Sequence, residues 1–93
     1  MNFVYILFNK PHGTLYTGVT SNLKKRMLEH KTKIHPHSFT ATYNVTKLGY
    51  FEEIPSIKDA IDREKQLKAG SRSKKIRLIK SMNPTWEDLS DDL

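Results

Sequence analysis

Hydrophobic and polar residues alternate in two short runs near the start of the chain, and both runs are rich in β-branched and aromatic residues. Residues 3–8 and 14–19 therefore indicate two β-strands. Between them, Pro11 fixes φ and Gly13 permits positive φ, which is typical of a turn. The pattern predicts a β-hairpin.

The register of this hairpin decides whether Tyr5 and Tyr16 lie on the same face of the sheet. A four-residue loop over 9–12 would place the two tyrosines directly opposite each other. A five-residue loop would shift the register by one and put them on opposite faces. The sequence leaves both registers open.

A helix is predicted after the hairpin, because Ser21 and Asn22 are favourable N-cap residues and an amphipathic pattern runs to about Lys31. At 100° per residue, Arg26 and His30 fall inside the apolar stripe of this helix. A charged arginine on an inward face usually has a partner or a function. The apolar members of the stripe are Leu23, Met27 and Ile34, and the outward charges are Lys24, Lys25 and Glu29.

The rest of the chain predicts one more strand and two more helices. Residues 32–46 indicate a loop with little order, and 47–54 indicate a third strand. A second helix begins at Ser56 and ends before Gly70, and a third covers about 73–82. The order β-β-α-β-α-α predicts an α+β fold, in which helices flank a small three-stranded antiparallel sheet.

Glu64 lies near the centre of the apolar stripe predicted for the second helix, which is formed by Ile57, Ala60, Ile61 and Leu67. Two inward charges, Arg26 and Glu64, therefore need an explanation. One alternative is a structural salt bridge between the two helices, which would account for both without any metal ion.

The net charge of +6 is unevenly distributed along the 93 residues. We divide the chain into a domain over 1–82, which carries a balance of +10, and an acidic C-terminal tail over 83–93 with a balance of −4. A basic body attracts polyanions, and we expect nucleic acid as the partner. The tail is expected to be a frayed terminus, with the alternative that it covers part of the basic face.

Other composition features exclude some classes of protein. Without cysteine the chain has no disulfide and no thiolate zinc site. No segment approaches the roughly 20 apolar residues that span a bilayer, and we see no secretion signal. We therefore expect a cytoplasmic location and no membrane partner.

The inward polar residues, together with the hairpin tyrosines, suit phosphodiester hydrolysis. One carboxylate with substrate oxygens can hold a single Mg²⁺, which keeps most of its waters. An arginine can bind a phosphate with two parallel hydrogen bonds, and a tyrosine or histidine can accept the proton of the attacking water.

The chain resembles the GIY-YIG nuclease superfamily, in particular its small stand-alone branch, over nearly its whole length. Phe3-Val4-Tyr5 and Tyr16-Thr17-Gly18 stand at the positions of the two motif triplets. A helix bearing Arg26 and His30 follows, and Glu64 stands on a later helix. The first triplet retains only its tyrosine, and Thr17 replaces an isoleucine in the second.

The resemblance implies a role for each of these residues. Tyr16 would be the general base, with help from His30, and Tyr5 would hydrogen-bond the attacking water or a phosphate oxygen. Arg26 would bind the scissile phosphate. Gly18 would allow the backbone to approach the substrate closely, and Glu64 would be the sole protein ligand of one Mg²⁺ or Mn²⁺ ion.

The implied activity is that of a DNA endonuclease with structure-directed or weak sequence preference. Two alternatives remain: a nucleic-acid-binding module with slow or no turnover, and an adaptor whose protein partner, unknown from the sequence, supplies specificity. The predicted phosphate-backbone contacts are Lys24, Lys25, Arg72, Lys74, Lys75 and Arg77.

Overall fold

A three-stranded antiparallel sheet forms the centre of the molecule in the computed structural model, which describes residues 1–93. Strand β1 (Asn2–Phe8) lies between β2 (Leu15–Thr20) and β3 (Lys47–Ile54). The helices are α1 (Leu23–Lys31), α2 (Phe39–Thr42), α3 (Ile57–Ala69) and α4 (Arg72–Met82), and a short 3-10 helix (Leu89–Asp92) ends the chain. The predicted α+β class and sheet are confirmed. None of the helices is long and apolar enough to cross a membrane.

Strand β1 is buried on both faces, which explains its nearly continuous apolar sequence. The five residues from Val4 to Phe8 are at most 1% exposed. On one face, Tyr5 and Leu7 pack with apolar residues of α1. On the other, Val4 packs against α3, and Ile6 packs against α4. The sheet is therefore a middle layer, and α1 lies on the opposite side from α3 and α4.

The hairpin loop has six residues, 9–14, and so differs from both registers considered from the sequence. Phe8 pairs with Leu15, Leu7 with Tyr16 and Tyr5 with Gly18. Because an even number of loop residues keeps the face of each position, Tyr5 and Tyr16 share a face without being direct partners. Hydrogen bonds from Gly13 N to Lys10 O (2.8 Å) and from Thr14 N to the Asn9 side chain (2.9 Å) close this wider loop.

Side-chain caps explain why three helices begin close to where the sequence predicts. Asn22 Oδ1 accepts a hydrogen bond from Lys25 N (3.1 Å) at the start of α1. The Ser56 hydroxyl caps α3, and the Ser71 hydroxyl caps α4. Each cap satisfies one of the free N–H groups of a first turn.

The predicted apolar face of α3 is partly wrong. Ala60 and Leu67 are buried against the sheet, but Ile57 is 54% and Ile61 is 38% exposed. The helix is turned so that Arg63 donates a hydrogen bond to Glu52 of β3 (2.9 Å). The small Ala60 side chain packs against Val4 beneath it.

The segment 32–46 is more ordered than the sequence suggests. The Ser38 side chain caps the four-residue helix α2 by accepting a hydrogen bond from Ala41 N (3.2 Å). Thr40 and Val45 are 4% and 0% exposed, and Val45 N donates to Thr40 O (2.8 Å). Val45 belongs to the core cluster on the α1 side of the sheet, so this segment closes one end of that core.

The acidic tail is not frayed, contrary to expectation. Asp88 Oδ1 accepts a hydrogen bond from Leu48 N of β3 (3.0 Å), and its other oxygen lies 2.5 Å from Lys31 Nζ. Leu89 packs against the core on the α1 side. The tail therefore docks on the sheet and the end of α1. Burial alone would raise the pKa of Asp88, but hydrogen bonds from Lys31, Ser90 and Leu48 outweigh this effect and lower it.

Candidate active site

Tyr5 is buried at the centre of the sheet, and its ring lies across Gly18 of β2. A Cβ atom on Gly18 would fall 2.5 Å from the Tyr5 hydroxyl oxygen and 2.6 Å from Cζ. Any side chain at position 18 would therefore collide with the phenol. This close contact explains why position 18 requires a glycine. The role of Gly18 in substrate approach stays a prediction.

Helix α1 places Arg26 and His30 one turn apart, on either side of the Tyr5 hydroxyl. Arg26 Nε donates to this hydroxyl at 3.4 Å, and His30 Nε2 lies 3.1 Å from it. The second nitrogen of the imidazole, Nδ1, lies 3.1 Å from Thr40 Oγ1. A hydrogen-bonded chain thus runs from Arg26 through Tyr5 and His30 to Thr40.

The pKa values along this chain fix its protonation at neutral pH. Burial is the main cause that raises the pKa of Tyr5 to about 12, with smaller contributions from Tyr16 and Glu64 against the lowering effect of Arg26. Burial, and then the positive charge of Arg26, lower the pKa of His30 to about 4. The imidazole is therefore neutral and the Tyr5 phenol is protonated. Because a neutral imidazole has one N–H group, one of its nitrogens donates a hydrogen bond and the other accepts one.

Because His30 titrates lower in the folded protein than in the unfolded chain, it should make stability depend on pH. The unfolded chain binds more protons between about pH 4 and pH 6.5, so stability rises with pH across this window and falls on acidification. We expect the difference in unfolding free energy between the protein and its His30→Gln variant to change by up to about 3 kcal/mol, since a pKa difference of one corresponds to about 1.4 kcal/mol.

Urea unfolding at a series of pH values measures this effect. His37→Gln is a matched control, because His37 is exposed on the loop that follows α1. That variant should follow the pH dependence of the parent. A constant difference between parent and His30→Gln from pH 4 to pH 6.5 would contradict the assignment of a neutral, buried imidazole.

Tyr16 and Arg26 meet at an open cavity of about 230 Å³. The ring of Tyr16 lies 6.4 Å from that of Tyr5 and 5.8 Å from that of His30, measured between centroids. Tyr16 is only partly buried, unlike Tyr5. Of the two tyrosines, only Tyr16 lines the cavity. Tyr5 is instead a buried hydrogen-bond partner of Arg26 and His30. The cavity is also lined by His30, Lys33, His35 and Phe39.

Two residues that contact the predicted site residues were not identified from the sequence. Glu29, which was interpreted as a solvated charge, is half-buried and lies 3.4 Å from Arg26 Nη1. Its position three residues after Arg26 on one helix is the signal that could have identified it. Thr40, which holds His30, lies in the segment interpreted as a loop, and no local pattern indicated it.

Glu64 does not pair with Arg26, so the alternative of a structural salt bridge between them is wrong. Its carboxylate lies 3.5 Å from Lys68 Nζ, one turn along α3, and its side chain is 17% exposed. Its negative charge makes the smallest of the contributions to the raised pKa of Tyr5, and Glu64 does not line the cavity where Tyr16 and Arg26 meet. The molecule has no cluster of three or more histidine or acidic side chains that could hold a metal ion.

A single carboxylate fits a hard divalent cation that keeps its waters and takes further oxygens from a phosphate. Mg²⁺ is commonly bound in proteins by one or two carboxylates together with water and substrate oxygens. Glu64 meets this requirement because it is partly shielded, and its single contact with Lys68, a half-exposed side chain, is replaceable. It is the residue that would hold the ion.

The basic residues predicted to contact nucleic acid lie on opposite sides of the sheet. Lys24 and Lys25 are exposed on α1, the helix that carries Arg26. The other set, on α4, consists of Arg72, Lys74, Lys75 and Arg77. Arg72 donates to the carbonyl oxygens of His12 and Gly13 and thereby holds the hairpin loop. Only the α1 lysines therefore share a helix with Arg26, neither of them lines the cavity, and the contacts themselves stay predictions.

The family description "GIY-YIG catalytic domain" matches residues 1–77 of the chain. That range contains Tyr5, Tyr16, Arg26, His30 and Glu64. The class defined by this fold and site is a nuclease-type catalytic domain, and the chain belongs to the GIY-YIG family.

Similar proteins lie within one group of that family. A UPF0213 protein of Syntrophus aciditrophicus is 40% identical over 83 residues, which cover 89% of this chain and 93% of that protein. A UPF0213 protein of Clostridium perfringens is 36% identical over 93 residues, which cover 100% of this chain and 98% of that protein. The solution NMR structure of a UPF0213 protein from Bacillus halodurans is 29% identical with a TM-score of 0.56, covering 95% of this chain and 93% of that one.

Proposed function

We propose that this protein is a metal-dependent endonuclease that hydrolyses phosphodiester bonds of DNA. The observation that carries the proposal is the open cavity in which the phenol of Tyr16 and the guanidinium of Arg26 meet, in a chain of the GIY-YIG family. A phosphate group could enter this cavity, because Lys33 and Arg26 line it and its one acid, Glu29, is paired with Arg26.

Arg26 is the residue that binds the scissile phosphate. Its contacts with Tyr5 and Glu29 use two of the five guanidinium N–H groups and are both 3.4 Å long. The remaining donors can bind two phosphate oxygens and stabilise the charge that develops on them in the transition state. The hydrogen bond with Tyr5 is also the main cause of the raised pKa of Arg26, so the group stays charged.

Tyr16 is the residue that accepts the proton of the attacking water. The water oxygen forms a bond to phosphorus, the bond from phosphorus to one sugar oxygen breaks, and that oxygen takes a proton from solvent. The transfer needs the phenolate form of Tyr16. Tyr5 and His30 act as positioning residues, because the hydroxyl of Tyr5 is buried and His30 Nε2 is already hydrogen-bonded to it.

Glu64 is the proposed ligand of one Mg²⁺ or Mn²⁺ ion. When bound, such an ion supplies Lewis-acid stabilisation of the phosphate charge. GIY-YIG nucleases are in general metal-dependent, which supports this part of the proposal. The small domain offers little surface for reading base sequence, so we expect structure-directed or weakly specific cleavage, and the predicted cytoplasmic location is compatible with a DNA substrate.

The proposal is tested by incubating the protein with branched, nicked, duplex and single-stranded DNA in Mg²⁺ or Mn²⁺, and in EDTA. A preparation of the double variant Tyr16→Phe/Glu64→Gln, purified identically, controls for contaminating nucleases. We expect cation-dependent cleavage of at least one substrate by the parent and none by the double variant. Equal cleavage by both preparations, or none by either, would contradict the endonuclease proposal and favour a binding module.

A further inference from the structure

Two aromatic side chains at α2, Phe39 and Tyr43, stand exposed beside the cavity. Phe39 is 47% and Tyr43 is 53% exposed, although both are large and mainly apolar. Their ring centroids lie 4.8 Å apart, so they form one continuous aromatic surface. The hydrolytic chemistry described above uses neither ring.

This surface is held rigidly relative to the candidate active site. Thr40, which follows Phe39, is buried and bonded to His30. The Tyr43 carbonyl accepts a hydrogen bond from the Asn9 side chain (3.3 Å), which ties the other end of α2 to the hairpin loop. A ligand that stacks on these rings would therefore cost little ordering of the protein.

The aromatic surface continues into the cavity. The rings of Tyr16 and Phe39 are inclined by only 28°, with centroids 6.3 Å apart, and Phe39 itself lines the cavity with Arg26. Lys33 and His35 line the same space, and its one acid, Glu29, is paired with Arg26. Apolar ring faces thus lie next to donors that suit a phosphate, which is the combination used by proteins that bind single-stranded nucleic acid.

A base in a duplex already stacks on its neighbours and presents no free face to a protein ring, whereas an unpaired base does. We propose that Phe39 and Tyr43 are a stacking platform for an unpaired base adjacent to the phosphate bound by Arg26. The substrate class is then single-stranded DNA, alone or as the single-stranded part of a branched molecule. This inference rests on the proposed function for the position of the phosphate.

Binding in EDTA tests the platform separately from cleavage. The affinity of a fluorescein-labelled oligothymidine and of a duplex of similar length is measured by fluorescence anisotropy for the parent, Phe39→Ala and Tyr43→Ala. Each alanine variant should bind the single strand about 5- to 100-fold more weakly, as expected for the loss of one base–aromatic contact. Binding to the duplex should change by less than about twofold.

Three further variants make the result specific. Phe39→Tyr and Tyr43→Phe keep an aromatic ring and should retain the affinity of the parent for the single strand. Leu28→Ala removes another exposed apolar side chain, 62% exposed on α1, and should bind like the parent. Thermal unfolding verifies that each variant is folded.

A measurement on the parent alone tests the platform without relying on the folding of any variant. A 2-aminopurine placed in the oligothymidine should lose fluorescence on binding if it stacks on a ring. Unchanged binding by both alanine variants, equal loss for single strand and duplex, or no change in 2-aminopurine fluorescence on binding would overturn the platform. Absence of cleavage with the expected binding pattern would instead contradict the endonuclease and leave the platform as a binding site.

Discussion

Replacing Glu64 by glutamine should lower the rate of DNA cleavage by a factor of about 1,000 or more. Lewis-acid stabilisation of a phosphate is worth several kcal/mol, and each 1.4 kcal/mol corresponds to a factor of ten in rate. Glutamine keeps the shape of the side chain but removes the charge of the only acidic group assigned to the ion. Single-turnover cleavage over a range of Mn²⁺ concentrations measures the effect and shows whether more Mn²⁺ is needed for half-maximal rate.

The fold should tolerate this change. The contact of Glu64 with Lys68 joins two side chains one turn apart on α3, and Lys68 is 52% exposed, so the pair contributes only a few tenths of a kcal/mol. Asp62→Asn is the matched control, because Asp62 is an exposed acid on the same helix. A Glu64→Gln variant that cleaves as fast as Asp62→Asn, with the same dependence on Mn²⁺, would exclude Glu64 as the metal ligand.

Local signals in the sequence were sufficient to predict most of the fold. Strand β3 and helix α1 have the predicted boundaries, because each combines a clear hydrophobic period with a strong start or stop signal. The burial of His30 followed from the same period. Information of this kind is local, so it could be read without knowing what the elements pack against.

The sequence did not decide the hairpin register, because the loop is closed by hydrogen bonds within it and is also held by a contact from the other end of the chain. A six-residue loop is stabilised when Arg72 of α4 donates to carbonyl oxygens at His12 and Gly13. No residue within the loop indicates that partner. The sequence left open whether Tyr5 and Tyr16 share a face, and their pairing with Gly18 and Leu7 places them on the same face.

Helix α2 could not be predicted from the sequence for a different reason. Its four residues are fewer than the window over which a helical period can be recognised, and its order comes from contacts such as that of Thr40 with His30. The predicted orientation of α3 was partly wrong for a similar reason, because the side of α3 that carries Ala60 and Leu67 packs against Val4 of β1, a partner that the pattern within the helix does not indicate. In both cases tertiary contacts outweigh the local pattern.

These two errors affect the site in opposite ways. The exposure of Ile57 and Ile61 leaves the candidate chemistry unchanged, because neither residue lines the cavity. The missed helix, in contrast, supplies Thr40 and the aromatic surface of Phe39 and Tyr43. A site assembled only from hairpin and helix patterns therefore includes the groups proposed for catalysis but omits the groups that hold His30 and would bind the neighbouring base.

Replacing Arg26 by alanine should lower the cleavage rate about 100- to 1,000-fold, the usual cost of removing one preorganised donor from a developing oxyanion. Arg26→Lys should retain part of the rate, because lysine keeps the charge but cannot bind two phosphate oxygens at once. The rate at saturating DNA separates this effect from weaker binding, which would raise only the concentration needed for half-maximal rate.

Lys58→Ala is the matched control for Arg26→Ala, because it removes one positive charge from an exposed position on α3 and so gives the same net charge. Its cleavage rate should stay within about twofold of the parent. The half-exposed pair of Arg26 with Glu29 is worth little stability, so the thermal midpoint of Arg26→Ala should be close to that of the parent. If Arg26→Ala is folded and cleaves as fast as Lys58→Ala, Arg26 only supports Tyr5 and Glu29, and another group must bind the scissile phosphate.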